Sequence, residues 1–148
     1  MDHTTHNWRQ TGRIYLWHYV DNPKNYRGWH LAADADGCKS LRQLLASFQT
    51  ALYSTKQRID LDQTDDRLAP VENYAGRYRS YSRWEIQHSK SKHAADHWQL
   101  TADGNLVQLE LGLDRVAELA NALTQLSRGN DDFLIGDDGQ ELWFWRAG

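Results

Sequence analysis

Along this chain, apolar and polar residues first alternate, then fall into a stripe with steps of three and four, then alternate again. These changes of period mark its elements. Residues 13–20, RIYLWHYV, are dense in aromatic and β-branched side chains and break at Asp21-Asn22-Pro23, which predicts a strand entering a turn. After a polar loop over 21–28, Trp29-His30-Leu31-Ala32-Ala33 alternates again and reads as a second strand, joined to the first as a long-looped hairpin. From Cys38 the period changes. Cys38, Leu41, Leu44, Leu45, Phe48 and Leu52 recur at helical steps, so a helix is expected over 37–53 with Asp36 as its N-cap. Arg58-Ile59-Asp60-Leu61-Asp62 then reads as a short strand, and QTDDRLAP as loop.

The second half follows a similar order. Ser82–His88 alternates with Trp84 and Ile86 on one face, a polar stretch SKSKHAAD intervenes, and His97–Thr101 follows, so these two segments are expected to pair as a second hairpin. NLVQLEL at 105–111 supplies a strand that the first half lacks. Val116, Leu119, Ala120, Leu123 and Leu126 then share one helical face, with Asp114 as the expected N-cap and Gly129 as the stop. The last strands, Phe133–Ile135 and Glu141–Trp145, are joined through Asp137-Asp138-Gly139, a tight-turn signal.

WHLAAD at 29–34 agrees with WQLTAD at 98–103 at Trp, Leu, Ala and Asp, and each block precedes an amphipathic helix. The expectation is therefore a single α+β domain over 1–148 with internal duplication, about 13–66 and 82–146. Each half would be a strand–strand–helix–strand unit, in a mainly antiparallel sheet with two helices on one face. The other sheet face would then be covered by aromatics, covered by a partner, or wet.

Composition narrows the function more than it names it. Seven Trp and seven Tyr argue for a packed interior, and a formal charge of −3 gives no global reason to bind nucleic acid or an anionic membrane. No apolar run approaches a membrane span and no secretory pattern opens the chain, so a cytoplasmic location is expected. One cysteine permits no internal disulfide and no cysteine-based zinc cage, which fits a reducing compartment.

The candidate chemistry is sparse. Cys38 could be activated by a helix N-terminus near His18 and His30, but its place on the apolar stripe favours an inert core thiol. His88, His93 and His97 lie close in sequence, yet HAADH lacks the glutamate of a zinc-protease helix, and no metal is expected. The Asp clusters at 34–36, 60–62, 65–66 and 137–138 fit caps and turns. A calcium loop opening at Asp34 would need Glu at its twelfth position, where Leu45 stands. No phosphate-binding glycine loop, dinucleotide fingerprint or nucleophile elbow occurs, and no cofactor is expected.

The most suggestive segment is 77–93, RYRSYSRWEIQHSKSKH, where Arg77, Arg79, Arg83, Lys90 and Lys92 interleave with Tyr78, Tyr81 and Trp84. That pattern suits a nucleotide or single-stranded nucleic acid, although a solvated sheet face with arginine on tyrosine explains it as well. Leu142-Trp143-Phe144-Trp145 is apolar on both faces and must be covered twice, either as a central strand with a second small core or against a partner.

The leading expectation is a non-enzymatic protein of the small bacterial accessory or immunity type, acting through a protein partner or a homo-oligomer. Arg77, Arg79, Tyr81, Arg83, Trp84, Trp143 and Trp145 are the candidate binding residues, and a sheet edge or the Trp-rich strand is the expected contact. The alternative is a small-molecule, nucleotide or single-stranded nucleic-acid binding domain using 77–93. An enzyme would have to assemble distant groups such as His18, His30 and Glu85.

Overall fold

The computed structural model describes residues 3–4, 8–20, 28–51, 53–64, 78–88, 94–130 and 132–147. Its elements run β1 (His3–Thr4), β2 (Ile14–Tyr19), β3 (Trp29–Ala33), α1 (Ala35–Thr50), β4 (Thr55–Asp60), β5 (Tyr78–Ser80), β6 (Arg83–His88), β7 (Trp98–Asp103), β8 (Leu106–Leu111), α2 (Leu113–Ser127), β9 (Phe133–Asp137) and β10 (Gln140–Arg146). The fold is α+β, with both helices packed on two mostly antiparallel sheets, where one sheet was expected. Sheet I has the order β1-β4-β6-β8-β7, and sheet II the order β5-β2-β3-β10-β9.

Both helices form where the apolar stripe predicts, but their caps differ from expectation. Asp34, not Asp36, caps α1. It leaves β3 in extended backbone, and its Oδ1 accepts from Gly37 N at 2.7 Å and Arg13 N at 2.9 Å. Asp36 lies inside the first turn. Gly112, not Asp114, caps α2, and it does so without a side-chain bond. The Ala95 carbonyl reaches over and accepts from Asp114 N at 2.9 Å, doing the work that an aspartate cap was expected to do. This close approach requires glycine, because a Cβ at 112 would lie 2.0 Å from the Ala94 carbonyl oxygen. Gly129, at φ +96°, follows α2 as expected.

The pairing departs from expectation at one point. β2 and β3 form the expected antiparallel pair, and β9 and β10 theirs. β6 and β7, however, do not pair. β7 runs antiparallel to β8, while β6 lies between β4, antiparallel, and β8, parallel. WHLAAD and WQLTAD therefore sit in non-equivalent strands. β3 runs straight into α1 through Asp34, whereas β7 ends at Asp103 and turns through Gly104 into β8.

Both sheets contribute to one large core. Ile14, Leu16, Leu31 and Phe144 from sheet II, and Ile59, Trp84, Ile86, Leu109 and Leu111 from sheet I, meet the buried faces of α1 and α2. The opposite faces of the sheets differ sharply. That of sheet I is polar, with Arg58 Nε donating to Glu85 at 3.0 Å and His97 Nε2 lying 3.6 Å from Glu110. That of sheet II carries a second buried cluster of Tyr15, Trp17, Tyr19, Ala32 and Trp145.

The sheets are also stitched to each other. Tyr81 N donates to Leu16 O and Asp62 N to Ile14 O at one end. At the other, Gln140 accepts twice: its backbone oxygen from Trp98 Nε1 at 2.9 Å and its side-chain oxygen from Leu100 N at 2.6 Å.

Candidate partner-binding site

The Arg/Tyr-rich segment does not form one surface, because the chain changes sheets within it. β5 pairs with β2 in sheet II, and after two intervening residues β6 enters sheet I. Tyr81 sits at that crossing and is buried, and Trp84 is fully buried in the main core. Arg79 and Arg83 remain exposed, while Arg77, Lys90 and Lys92 lie outside the described residues. The Arg79 guanidinium lies 5.0 Å from the Tyr81 ring centre and donates to Gly104 O at 2.6 Å. Its position is explained within the chain.

The Tyr81 hydroxyl and His18 Nδ1 share a hydrogen bond of 2.8 Å, with the Trp29 ring against both. Burial and the nearby Arg79 charge lower the His18 pKa, and burial raises that of Tyr81. Beside this cluster is a cleft of about 330 Å³ whose lining includes Gln63, Ser80, Ser82 and Asn105, all uncharged. Among the described residues that line it, there is no cation that could hold a phosphate.

Trp143 and Trp145 stand on the outer face of β10, between β3 and β9, with their rings stacked 6.2 Å apart. Trp145 is buried, and its Nε1 donates to His30 Nδ1 at 3.0 Å. That bond makes Nδ1 an acceptor and leaves the proton on His30 Nε2. Trp17 stacks on His30 from the other side at 5.5 Å.

Cys38 is buried on α1, and burial pushes its thiol up to about 11, so almost no thiolate exists at neutral pH. His88 stacks on Phe48 at 6.0 Å, and His93 lies outside the described residues. Among the described residues, no group of three His, Cys, Asp or Glu is placed to hold a metal ion, and no helix is long and apolar enough to cross a membrane.

One surface was not anticipated from the residues. β9 ends sheet II, and no described strand pairs with its outer edge. Phe133 and Ile135 face α2 across a groove of about 470 Å³, into which Ala122, Asn121, Gln125 and Glu118 also look. Leu134 points the other way, opposite Trp143 in the β9–β10 register, and is 42% exposed.

Three consecutive apolar residues on an open sheet edge are uncommon, since such edges are usually blunted by charge, proline or a bulge. Sequence could have hinted at it through Phe-Leu-Ile being apolar on both faces near a polar turn. What it lacked was the knowledge that β9 is terminal. Arg115 closes one end of the groove, donating to Glu118 at 2.8 Å and to Asp137 at 2.5 Å. Burial opposes its charge, but the two carboxylates outweigh that and hold its pKa above the ordinary value.

Comparison with protein-family models, curated proteins and solved structures found no match.

Proposed function

We propose that this protein is a non-enzymatic binding protein of the cytoplasm that captures an extended segment of a partner along the open edge of β9, beside α2. The observation that carries this reading is the edge at Phe133–Ile135, with which no strand among the described residues pairs, with exposed Leu134 on one side and an apolar-floored groove on the other. Strand addition uses such a layout. Backbone groups of the edge supply the hydrogen bonds, and alternate side chains of the added strand enter the groove. Among the described residues, no comparable arrangement of nucleophile, base and oxyanion donors supports a catalytic reading.

The test is native mass spectrometry of the protein purified from its own host, alongside Leu134→Lys and the control Gln99→Lys on the edge strand of sheet I. A charge on an open edge disfavours strand pairing without disturbing a core. The expected result is a stoichiometric complex for wild type and Gln99→Lys that is lost in Leu134→Lys. A bare monomer in wild type, or a complex indifferent to Leu134→Lys, overturns the proposal.

A further inference from the structure

The rim of the β9 groove is unevenly charged. At its turn end Glu118 and Asp137 both bond the Arg115 guanidinium and exposed Asp138 follows Asp137 in the turn, so three carboxylates stand against one cation. The side chains of Glu118 and Asp137 are 42% and 49% exposed, so their charge reaches an incoming chain. The opposite end of β9 is preceded by Asp132, whose N donates to Phe144 O at 2.9 Å; Arg128 caps the end of α2 and Arg146 ends β10. Between these ends the floor is apolar, made by Phe133, Ile135 and Ala122.

This distribution disfavours one way of seating a second copy of the chain. In an antiparallel self-pairing of β9 centred on Ile135, Asp132 of one copy faces Asp138 of the other. That register sets acid against acid, and like charges directly opposite destabilise a strand pair. Centred on Leu134, Asp132 instead faces Gly136 and Phe133 faces Ile135, so the sedimentation arm of the test below decides against a second copy.

Resting on the strand-addition reading above, we propose that the β9 groove takes a basic extended segment. It places one apolar side chain between Phe133 and Ile135 and a lysine or arginine toward Asp137 and Asp138. The apolar residue supplies burial, and the cation sets direction and register. Because the rim is solvent-exposed, each ion pair contributes modestly, so charge selects among segments and backbone pairing supplies most of the hold.

The test is fluorescence anisotropy of the full chain against labelled eight-residue Val/Thr-rich peptides. They are identical except for two positions flanking the central valine, which are Lys, Ser or Glu. The Lys peptide should bind roughly fivefold tighter than the Glu peptide, the scale of one or two exposed ion pairs. Asp138→Lys, at an exposed turn position, should reverse that order and leave the Ser peptide unchanged. Equal binding of all three peptides, or an order that Asp138→Lys does not move, overturns the basic occupant while leaving strand addition standing. Binding of none of them, or loss of none in Leu134→Lys, overturns the strand-addition site itself. A concentration-dependent dimer abolished by Leu134→Lys in sedimentation would assign the edge to a second copy and overturn the proposal too.

Discussion

His18 shows how one side chain becomes legible only after its neighbours are placed. In the sequence it is an ordinary member of an aromatic strand. In the fold it is half-buried, bonded to the Tyr81 hydroxyl, set against Trp29 and close to the Arg79 guanidinium. Its pKa is lowered, by burial first and by Arg79 second. In the unfolded chain it takes up a proton near pH 6.5, whereas the folded chain resists doing so. The contribution to stability is therefore fully present above about pH 6.5 and is lost as pH falls through the window below it. Urea unfolding of wild type and His18→Gln between pH 7.5 and 5 should show the steeper acid loss in wild type. Parallel profiles would mean that His18 is no less basic in the folded protein. Cys38 is the contrasting case, since its phase on the α1 stripe already argued for the inert thiol found there.

At the scale of elements, periodicity located nearly every strand and both helices, because burial of one face imposes a local pattern that any window can reveal. The caps were less legible, because they depend on what approaches the helix end. Asp34 precedes Asp36 as cap because it both ends β3 and lies three residues before Gly37, whose N–H it accepts. Gly112 caps α2 because the 94–95 backbone occupies the space any side chain would need. Gly112→Ala should therefore destabilise by about 2–3 kcal/mol, the scale of severe overpacking. That is roughly a 5–10 °C fall in melting temperature for a chain of this size. Gly104→Ala, where nothing lies within 4 Å of a built Cβ, tests only the cost of φ +61° and should lose about 1 kcal/mol. Equal losses in calorimetry would show that the contact with Ala94 relaxes. The partner of each strand was the least legible feature of all, since β6 carries no local mark that it joins β8 in parallel rather than β7 in a hairpin. The candidate site shared this blindness: the apolar run Phe133–Ile135 is unremarkable until β9 proves to be an edge.

In the whole molecule, the two ends of the chain are interleaved. Cut between residues 93 and 94, the chain separates into one piece with β1 to β6 and α1 and another with β7 to β10 and α2. Each piece keeps only strand pairs that it can form alone, β1 with β4, β2 with β3, β2 with β5 and β4 with β6 in one, β7 with β8 and β9 with β10 in the other. Two of the three parallel junctions, β6 with β8 in sheet I and β3 with β10 in sheet II, cross the cut, as does the contact between α1 and α2. The main core is divided in the same way, with Leu41, Leu45, Phe48 and Trp84 on one side and Leu109, Leu119, Leu123 and Phe144 on the other. A piece of 55 residues with one face of its sheets and helix stripped of cover is at the size where folding alone is marginal. Fragments 1–93 and 94–148 should therefore each lack a cooperative thermal transition. Mixed in equal amounts, they should recover one, together with the near-ultraviolet circular dichroism of the tryptophans. Recovery only on mixing is what a single core shared between the halves demands. A sharp transition in either fragment alone would mean instead that the units suggested by the repeated hexad fold independently, with the interleaved sheets forming only when they dock.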